Sequence, residues 1–358
     1  MTEAIDPIPL EDEFRLQGPD ATGQYNAMFY AFNTVVTLQA FADESLCKQT
    51  FRQALDACRK FERLFSRTLP HSDIARLNDA HGSWVDVSRE TFDLLAASKR
   101  YCEESGGVFD ITMGSAVKLW DFHRGIIPDA AELEEALRHV DWRGVVLEQE
   151  FSQEDAGENL QNGHAETQDK RAEPQADESE KNVRHRARLN DPRASVDVGG
   201  TAKGYIADAV GAILLGAGIE RFIVNLGGNV LAHGAKPDGK PWRIGLQDPR
   251  ASRESGKIVG AVPLTNVSAV TSGTYERCFA HDGRTYHHIL DPKTGFPAET
   301  DLAGATVVAR TSLDAEGYST TLLALGKDAA AEFVRTHESI LAAYLIDAKG
   351  RMSVISRE

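Results

Sequence analysis

The sequence predicts an α+β fold, in which mixed and antiparallel sheets are flanked by helices. Three features support this class. Apolar residues at helical spacing dominate the first half of the chain, the second half alternates short strands with glycine turns, and these strands follow one another as hairpins. Hairpins mixed with helices are typical of α+β proteins rather than of a doubly wound parallel sheet.

The first half begins with a strand and continues with helices. Residues 33–41 (NTVVTLQAF) are rich in β-branched side chains, and apolar residues recur at helical spacing over 45–67. A second helix is predicted over 88–107, with Ser88 as its N-cap and a double glycine at its end. A third helix covers 129–140, and the strand-like stretch GVVLEQE follows it.

A polar, acidic segment then interrupts the regular pattern. Residues 151–182 contain almost no core-forming side chains, so burial cannot offset the entropy lost on ordering them. We interpret about 151–184 as a disordered loop inserted between two strands of one domain. The predicted organisation is therefore a flexible tail over 1–25 and a single domain over 26–358.

The second half supplies the remaining strands and two closing helices. The segments interpreted as strands are 221–234, 241–249, 256–264, 284–290, 303–309, 340–347 and 351–356. Helices are predicted near 316–326 and 328–337.

Charge and hydropathy restrict the partners. The formal net charge of −15 disfavours a nucleic-acid partner, because phosphate binding requires a basic surface. The acidic N-terminus lacks the features of a secretory signal, and no apolar run reaches the length of a membrane span. The sequence therefore predicts a cytoplasmic protein without a membrane span.

The segment 196–208 (VDVGGTAKGYIAD) lies where an apolar run meets a predicted helix. Its spacing fits neither the P-loop nor the Rossmann fingerprint. The helix N-terminus and Lys203 suit anionic oxygens, and Gly200 allows a ligand to approach the backbone. The alternative interpretation is a tight turn with a solvated lysine.

Three further stretches carry polar side chains near turns. His287 and His288 are adjacent on a predicted strand and point to opposite faces, so they cannot both serve one site. Glu316 and Thr320 share a helical face, and their hard oxygen atoms suit Mg²⁺. Alternatively, Glu316 only stabilises the helix N-terminus. The segment 105–122 (SGGVFDITMGSAVKLWDF) by itself indicates a buried aromatic turn.

Taken in this order, these stretches resemble the motifs of the FAD:protein FMN transferase (ApbE) family. The family has GGxFDxT…LWxF, Dx[GS][GA]xxxG, a GG turn before pWxxgxxdP, TSGxYER, HHIxDPxTGxP, and a helix with Asp and Thr four residues apart. The matching segments are 106–112, 197–204, 227–228, 242–249, 271–277, 287–297 and 316–320, with an early SxIxxLN-like turn at 69–78. The resemblance covers nearly the whole chain and implies a T-fold-like architecture.

The resemblance also implies an activity and a site. Members of the family use Mg²⁺ and transfer the FMN half of FAD to a Ser or Thr of an acceptor protein, releasing AMP. The implied metal ligands are Glu316, Thr320 and the Gly200 carbonyl. The implied contacts to FAD are Val108, Phe109, Asp110, Asp197, Lys203, Ser272 and His288. Either His288 or Glu316 would serve as the catalytic base, and the sequence does not choose between them.

The sequence departs from the family pattern at three positions. Glu316 replaces the usual Asp, Thr274 replaces the Asp of SGDYER, and Asn229 stands where Asp is common. The family's acceptor signature, D-x-x-[ST]-G-A-[ST], has no complete match in the chain, so we expect the acceptor to be a separate protein. Two other activities stay open: a Mg²⁺-dependent FAD pyrophosphatase that yields FMN and AMP, and a noncatalytic FAD-binding protein.

Overall fold

A computed structural model describes residues 14–151, 183–252 and 255–357. The helices are α1 (Glu44–Phe65), α2 (Asp73–Asp79), α3 (Arg89–Glu104), α4 (Gly114–Val117), α5 (Ala130–Leu137), α6 (Ala202–Gly216), α7 (Ser312–Leu325) and α8 (Lys327–Thr336). The strands up to the middle of the chain are β1 (Arg15–Gln17), β2 (Tyr25–Ala31), β3 (Thr34–Ala40), β4 (Val85–Asp86), β5 (Val145–Phe151), β6 (Val183–Leu189), β7 (Phe222–Leu226) and β8 (Asn229–His233). The later strands are β9 (Trp242–Gln247), β10 (Ile258–Leu264), β11 (Val267–Gly273), β12 (Cys278–His281), β13 (Arg284–His287), β14 (Leu302–Ala309), β15 (Ile340–Asp347) and β16 (Met352–Ser356).

A nine-stranded sheet organises the molecule. Its strand order is β1-β2-β3-β7-β8-β11-β14-β15-β16, and every neighbouring pair is antiparallel. Helices α1, α3, α6, α7 and α8 contribute apolar side chains to the main core on this sheet, while the β9–β10 hairpin covers a second apolar cluster with residues of β8, β11, β14 and β15. Antiparallel sheets with flanking helices confirm the predicted α+β class.

Local signals in the sequence place several elements correctly. The Ser88 hydroxyl accepts a hydrogen bond from the Thr91 amide and caps α3, as predicted. Gly106 and Gly107 follow that helix with φ of 63° and 81°, in the left-handed region that favours glycine. The chain therefore turns sharply there and delivers the segment 108–112 to the site described below.

A three-stranded sheet, β4-β6-β5, carries the predicted insertion. Strands β5 and β6 pair so that Phe151 lies opposite Val183, which means that the chain leaves and returns at the tip of one hairpin. The prediction of disorder lies outside the described residues, except for its ends, which belong to β5 and β6. The predicted tail over 1–25 includes β1 and the first residue of β2, and residues 1–13 lie outside the described part.

Helices α6 and α7 approach each other closely at Gly204. A Cβ atom at this position would lie 2.6 Å from the Ser312 carbonyl oxygen, so the contact requires glycine. The Asp208 carboxylate of α6 accepts hydrogen bonds from the amides of Ser312 (2.7 Å) and Leu313 (2.9 Å) and so caps α7. Burial nevertheless raises the pKa of Asp208 to about 6. These contacts fix α7 against the N-terminus of α6.

Candidate active site

The loop before α6 is held by side chains at both ends. The Asp197 carboxylate accepts a hydrogen bond from the Gly199 amide (2.8 Å) and forms an ion pair with Arg67 (Nε–Oδ2 3.1 Å). The Asp197 amide donates to the Ile111 carbonyl (2.8 Å). The glycine loop and the segment that follows Gly107 are therefore joined by a backbone hydrogen bond.

Phe109 lies directly against the glycine loop. A Cβ atom at position 200 would come within 2.8 Å of the Phe109 ring, so only glycine fits there without displacing the ring. Phe109 is buried, and its amide donates a hydrogen bond to the Ser105 hydroxyl (3.1 Å). The structure thus brings together two residues that are more than 90 positions apart in the sequence.

Glu316 is a buried carboxylate surrounded by donors. Its Oε1 atom forms an ion pair with the Lys203 ammonium, and its Oε2 atom accepts a hydrogen bond from the Gly204 amide. The Asn229 side-chain amide lies 3.4 Å from Oε2. Glu316 is 4% exposed, so these groups replace the water that a charged carboxylate would otherwise require.

Lys203 joins the two halves of this arrangement. Its ammonium contacts Glu316 and also donates to the Gly199 carbonyl (3.3 Å), so a positive charge lies between a carboxylate and a loop carbonyl. This is the kind of oxygen environment that also suits a hard cation. The side chain of Lys203 is 30% exposed and can therefore be reached from solvent.

Thr320, one turn beyond Glu316 on α7, lies beside Ser272 of β11. The Ser272 hydroxyl is 3.2 Å from the Thr320 hydroxyl and 2.9 Å from that of Ser319. Ser319 in turn donates to the Glu316 carbonyl (3.1 Å). The predicted residues Ser272, Glu316 and Thr320 are therefore close neighbours at the junction of β11 and α7.

His288 follows β13 directly and is largely buried. Its amide donates to the Arg277 carbonyl (3.1 Å), whereas its Nδ1 atom has no hydrogen-bond partner among the described residues. Burial, together with the nearby positive charges of Arg277 and Lys203, lowers the pKa of His288 to about 4. The imidazole is therefore neutral near pH 7 and able to accept a proton.

Two adjoining clefts open beside these residues. The larger, about 510 Å³, is lined among others by Val108, Phe296 and Ala324, and the smaller, about 340 Å³, by Asp110 and Trp142. Both clefts share a wall formed by Gly107, Pro292 and Lys293. The two clefts are therefore contiguous along the segment that follows Gly107.

The Asp110 carboxylate accepts hydrogen bonds from nearby groups of the protein. The donors are the Thr112 amide (2.7 Å) and hydroxyl (2.6 Å), and the Trp142 amide (3.2 Å). Burial still raises the pKa of Asp110. These bonds hold the Asp110 carboxylate at the smaller cleft. It is therefore separate from the Glu316 carboxylate, which contacts Lys203 and Gly204 at the α6–α7 junction.

The structure adds residues that the sequence did not single out. Arg67 holds Asp197, and Trp142 presents a buried Nε1 atom with no hydrogen-bond partner among the described residues, beside Gly107. Neither carried a local signal, because an arginine after a helix and a tryptophan before a strand are ordinary. Asn229 was recognised as a departure from a family pattern, but its contact with Glu316 was not.

The oxygen set at the junction fits one hard cation. It offers the Glu316 carboxylate, beside which the Lys203 ammonium lies, and the Thr320 hydroxyl one helical turn further along α7. Across residues 14–151, 183–252 and 255–357, no three His, Cys, Asp or Glu side chains converge as a metal-binding group. A metal here would depend on one carboxylate and neutral oxygens. In the same ranges, no helix combines the length and apolarity needed to span a membrane.

Comparison with known proteins gives a consistent result. Residues 32–345 match the model of the ApbE family. An FAD:protein FMN transferase of Klebsiella pneumoniae (strain 342) is 32% identical over 306 residues, which cover 85% of this chain and 83% of that protein. An FAD:protein FMN transferase of Treponema pallidum (strain Nichols) is 32% identical over 299 residues, covering 80% and 74%.

Solved structures show the same architecture. The crystal structure of the ApbE protein from Thermotoga maritima superposes with a TM-score of 0.75 at 27% identity, covering 94% of this chain and all of that one. The apo form of the Pseudomonas stutzeri flavinyl transferase ApbE has a TM-score of 0.71 at 22% identity, covering 97% of this chain and 96% of that one, and supports the fold.

Proposed function

The chain belongs to the ApbE family and is a transferase, and we propose that it transfers the FMN moiety of FAD to a Ser or Thr hydroxyl of an acceptor flavoprotein, releasing AMP. The observation that carries this proposal is the meeting of Lys203, Glu316 and the glycine loop at the N-terminus of α6. That arrangement presents the Lys203 ammonium, which is partly exposed to solvent, to pyrophosphate oxygens, and neutralising their charge is what FAD cleavage needs.

The reaction forms one bond and breaks one. The acceptor hydroxyl oxygen bonds to the FMN-side phosphorus, the bond from that phosphorus to the bridging oxygen breaks, and AMP leaves with the bridging oxygen. The hydroxyl proton is taken by a base. His288 is the better candidate, because its Nδ1 atom is unpartnered and its ring neutral, whereas both Glu316 oxygens already accept hydrogen bonds.

The remaining predicted residues position FAD. The Lys203 ammonium faces the pyrophosphate, and Asp197, held by Arg67, contacts the nucleotide. Val108, Phe109 and Asp110 line the clefts or the glycine loop and enclose one end of the dinucleotide. Ser272 supports Thr320 through the hydroxyl contact described above.

Mg²⁺ would be held by Glu316, Thr320 and the Gly200 carbonyl. It would neutralise the pyrophosphate charge that otherwise repels an incoming nucleophile. Because Lys203 pairs with Glu316, a metal held by Glu316 would compete with the ammonium, for which the pyrophosphate would be a suitable new partner.

The test uses the full chain, FAD, Mg²⁺ and a domain that carries the D-x-x-[ST]-G-A-[ST] signature. We expect flavin fluorescence to travel with the acceptor on a denaturing gel, and AMP to appear in equal amount. An acceptor variant with Ala in place of its Ser or Thr is the control. AMP and free FMN without labelled acceptor would show a pyrophosphatase, and FAD binding without AMP would show a noncatalytic protein. The cytoplasmic location stays a prediction, to be tested by cell fractionation.

A further inference from the structure

Two departures from the family pattern, at 229 and 316, turn out to be in contact. Asn229 opens β8 and Glu316 lies in the second turn of α7, and their side chains meet in the interior. The Asn229 Nδ2 atom lies 3.4 Å from Glu316 Oε2, and the two residues are 1% and 4% exposed. The pair is therefore shielded from water, where the choice between a donor and an acceptor matters most.

The orientation of the Asn229 amide follows from its neighbours. The Ser312 hydroxyl donates to Asn229 Oδ1, and the Ser268 hydroxyl, which donates to the Val230 carbonyl (2.8 Å), lies 2.9 Å from the Ser312 hydroxyl. Because a carboxylate paired with an ammonium can only accept hydrogen bonds, the amide must turn its nitrogen to Glu316. Ser312 and Asn229 thus form two directed hydrogen bonds in series, the second of which ends on the Glu316 carboxylate.

An acidic residue at position 229 would change the charge of the site. It would place a second carboxylate about 3.4 Å from Glu316, where two like charges repel strongly and one must take up a proton. With asparagine, the charges of Glu316 and Lys203 cancel. Glu316, which is longer than the expected aspartate, reaches the side chain at position 229 in β8. The neutral Asn229 amide donates to it there without adding a negative charge.

We propose that Asn229 is a positioning residue for Glu316, which holds the carboxylate toward Lys203 and keeps the cation site free of a second negative charge. The cation-binding part of this inference rests on the proposed function; the contact between the two side chains does not. Asn229 itself touches neither FAD nor the reacting atoms under this proposal.

The test is a set of four full-length proteins: the parent, N229D, E316D and the double variant N229D/E316D. Without added cation, N229D should melt at a lower temperature than the parent. In E316D the carboxylate is one methylene shorter and out of reach of residue 229, so the same Asn-to-Asp change should cost less. The two substitutions should thus be non-additive. If the two changes in melting temperature simply add, Asn229 does not position Glu316 through this contact.

Mg²⁺ affinity supplies the second measurement, made by calorimetry without FAD. We expect N229D to bind Mg²⁺ about tenfold more tightly than the parent, because cation affinity rises with the number of carboxylates. A merely structural role of Asn229 would lower stability without raising affinity, and an unchanged affinity would overturn the charge argument. N225D is the matched control, since Asn225 lies in the adjacent β7 and bonds to the Gly228 amide (2.9 Å).

The outcomes separate this inference from the proposed function. If the parent binds no Mg²⁺, the metal part of the proposed function fails, and the charge argument for Asn229 fails with it. The melting-temperature cycle, run without cation, still decides whether Asn229 positions Glu316. If Mg²⁺ binding responds as expected but no flavin is transferred, the inference stands and the proposed reaction is wrong.

Discussion

The two ends of the candidate site are built in opposite ways. At the α6–α7 junction, both oxygens of Glu316 have donors, and Lys203 contacts two acceptors. At the clefts, Trp142 Nε1 is buried without a hydrogen-bond partner among the described residues. His288 Nδ1 is likewise buried without a hydrogen-bond partner among the described residues. The protein therefore satisfies the charged end itself and leaves hydrogen-bonding capacity at the other end for a ligand.

This difference suggests a division of labour. In the proposed reaction, the charges at the junction act on the pyrophosphate, where electrostatic catalysis gains most, although Lys203 would exchange Glu316 for a new partner. A ligand that hydrogen-bonds to an unpartnered buried donor or acceptor removes its desolvation penalty, so such groups contribute to binding affinity and selectivity. Variants at the junction should therefore affect turnover, and variants at the clefts should affect FAD affinity.

The largest effect should come from Glu316→Gln. The substitution keeps the shape but removes the charge that faces Lys203, so we expect kcat to fall by about 100-fold or more. Labelling of the acceptor measured by flavin fluorescence checks this. Glu338→Gln, at an exposed glutamate, is the control. Activity within a factor of about three of the parent would show that the junction is not the charged centre of the reaction.

His288→Gln should lower kcat by about 100-fold, the usual contribution of a general base. The KM for FAD should change much less, because the proposed role is proton transfer. Steady-state kinetics separate the two parameters, and His123→Gln, at an exposed histidine, is the matched control. A change confined to KM would instead assign His288 to FAD binding.

The pH profile should reflect the same residue. The pKa of His288 is lowered from 6.5 to about 4, so the neutral, active form persists as the pH falls through 6.5 and is lost only near pH 4. The same shift means that its contribution to stability is complete above pH 6.5 and is lost as the pH falls toward 4. We expect kcat/KM to stay level down to about pH 5. A limb at 6.5 in the parent would contradict the buried, neutral imidazole.

Trp142→Phe tests the cleft end with a smaller change. It removes the unpartnered Nε1 donor and little else, so thermal stability should be kept while FAD binds about three- to tenfold more weakly. Fluorescence titration with FAD measures the affinity. Trp84→Phe is the matched control, because Trp84 packs against Arg186 and Arg188 on the β4-β6-β5 sheet. Equal FAD affinity in parent and variant would show that Trp142 Nε1 does not donate to FAD.

The smallest effect should follow deletion of residues 152–182. Phe151 and Val183 face each other across the hairpin, so an Asn-Gly turn can join β5 to β6 without moving either strand. We expect FAD affinity to change by less than about twofold and the melting temperature to be maintained. A large loss of FAD binding would show that the insertion contributes to the site.

The sequence predicts the parts of this molecule that depend on near neighbours. Helix α3 with its Ser88 cap and the Glu316–Thr320 spacing follow from local periodicity, whereas β13 ends at His287, so His288 lies just beyond the strand and not on it as predicted. The strand order does not, because β3 pairs with β7 and β11 with β14 across long connections. Family motifs indicate which residues share a site, but not that Lys203 would be the partner of Glu316, 113 residues away.

Other features were out of reach for a physical reason. The roles of Arg67 and Asn229 depend on single contacts formed by tertiary packing, and neither residue type is unusual in its segment. Likewise, no pattern in the sequence reveals that Trp142 Nε1 would be buried without a partner. Such features arise only when several elements meet, so the structure is needed to find them.

The close approach at Gly204 has a consequence for folding as well as for geometry. Lys203 and Glu316 meet only after α6 has docked on α7, since nothing in the local sequence holds them together. A chain that is still folding, with its helices apart, therefore has no assembled charge centre. The activity proposed here, which would consume FAD wherever it ran unchecked, is confined by this packing to the finished enzyme.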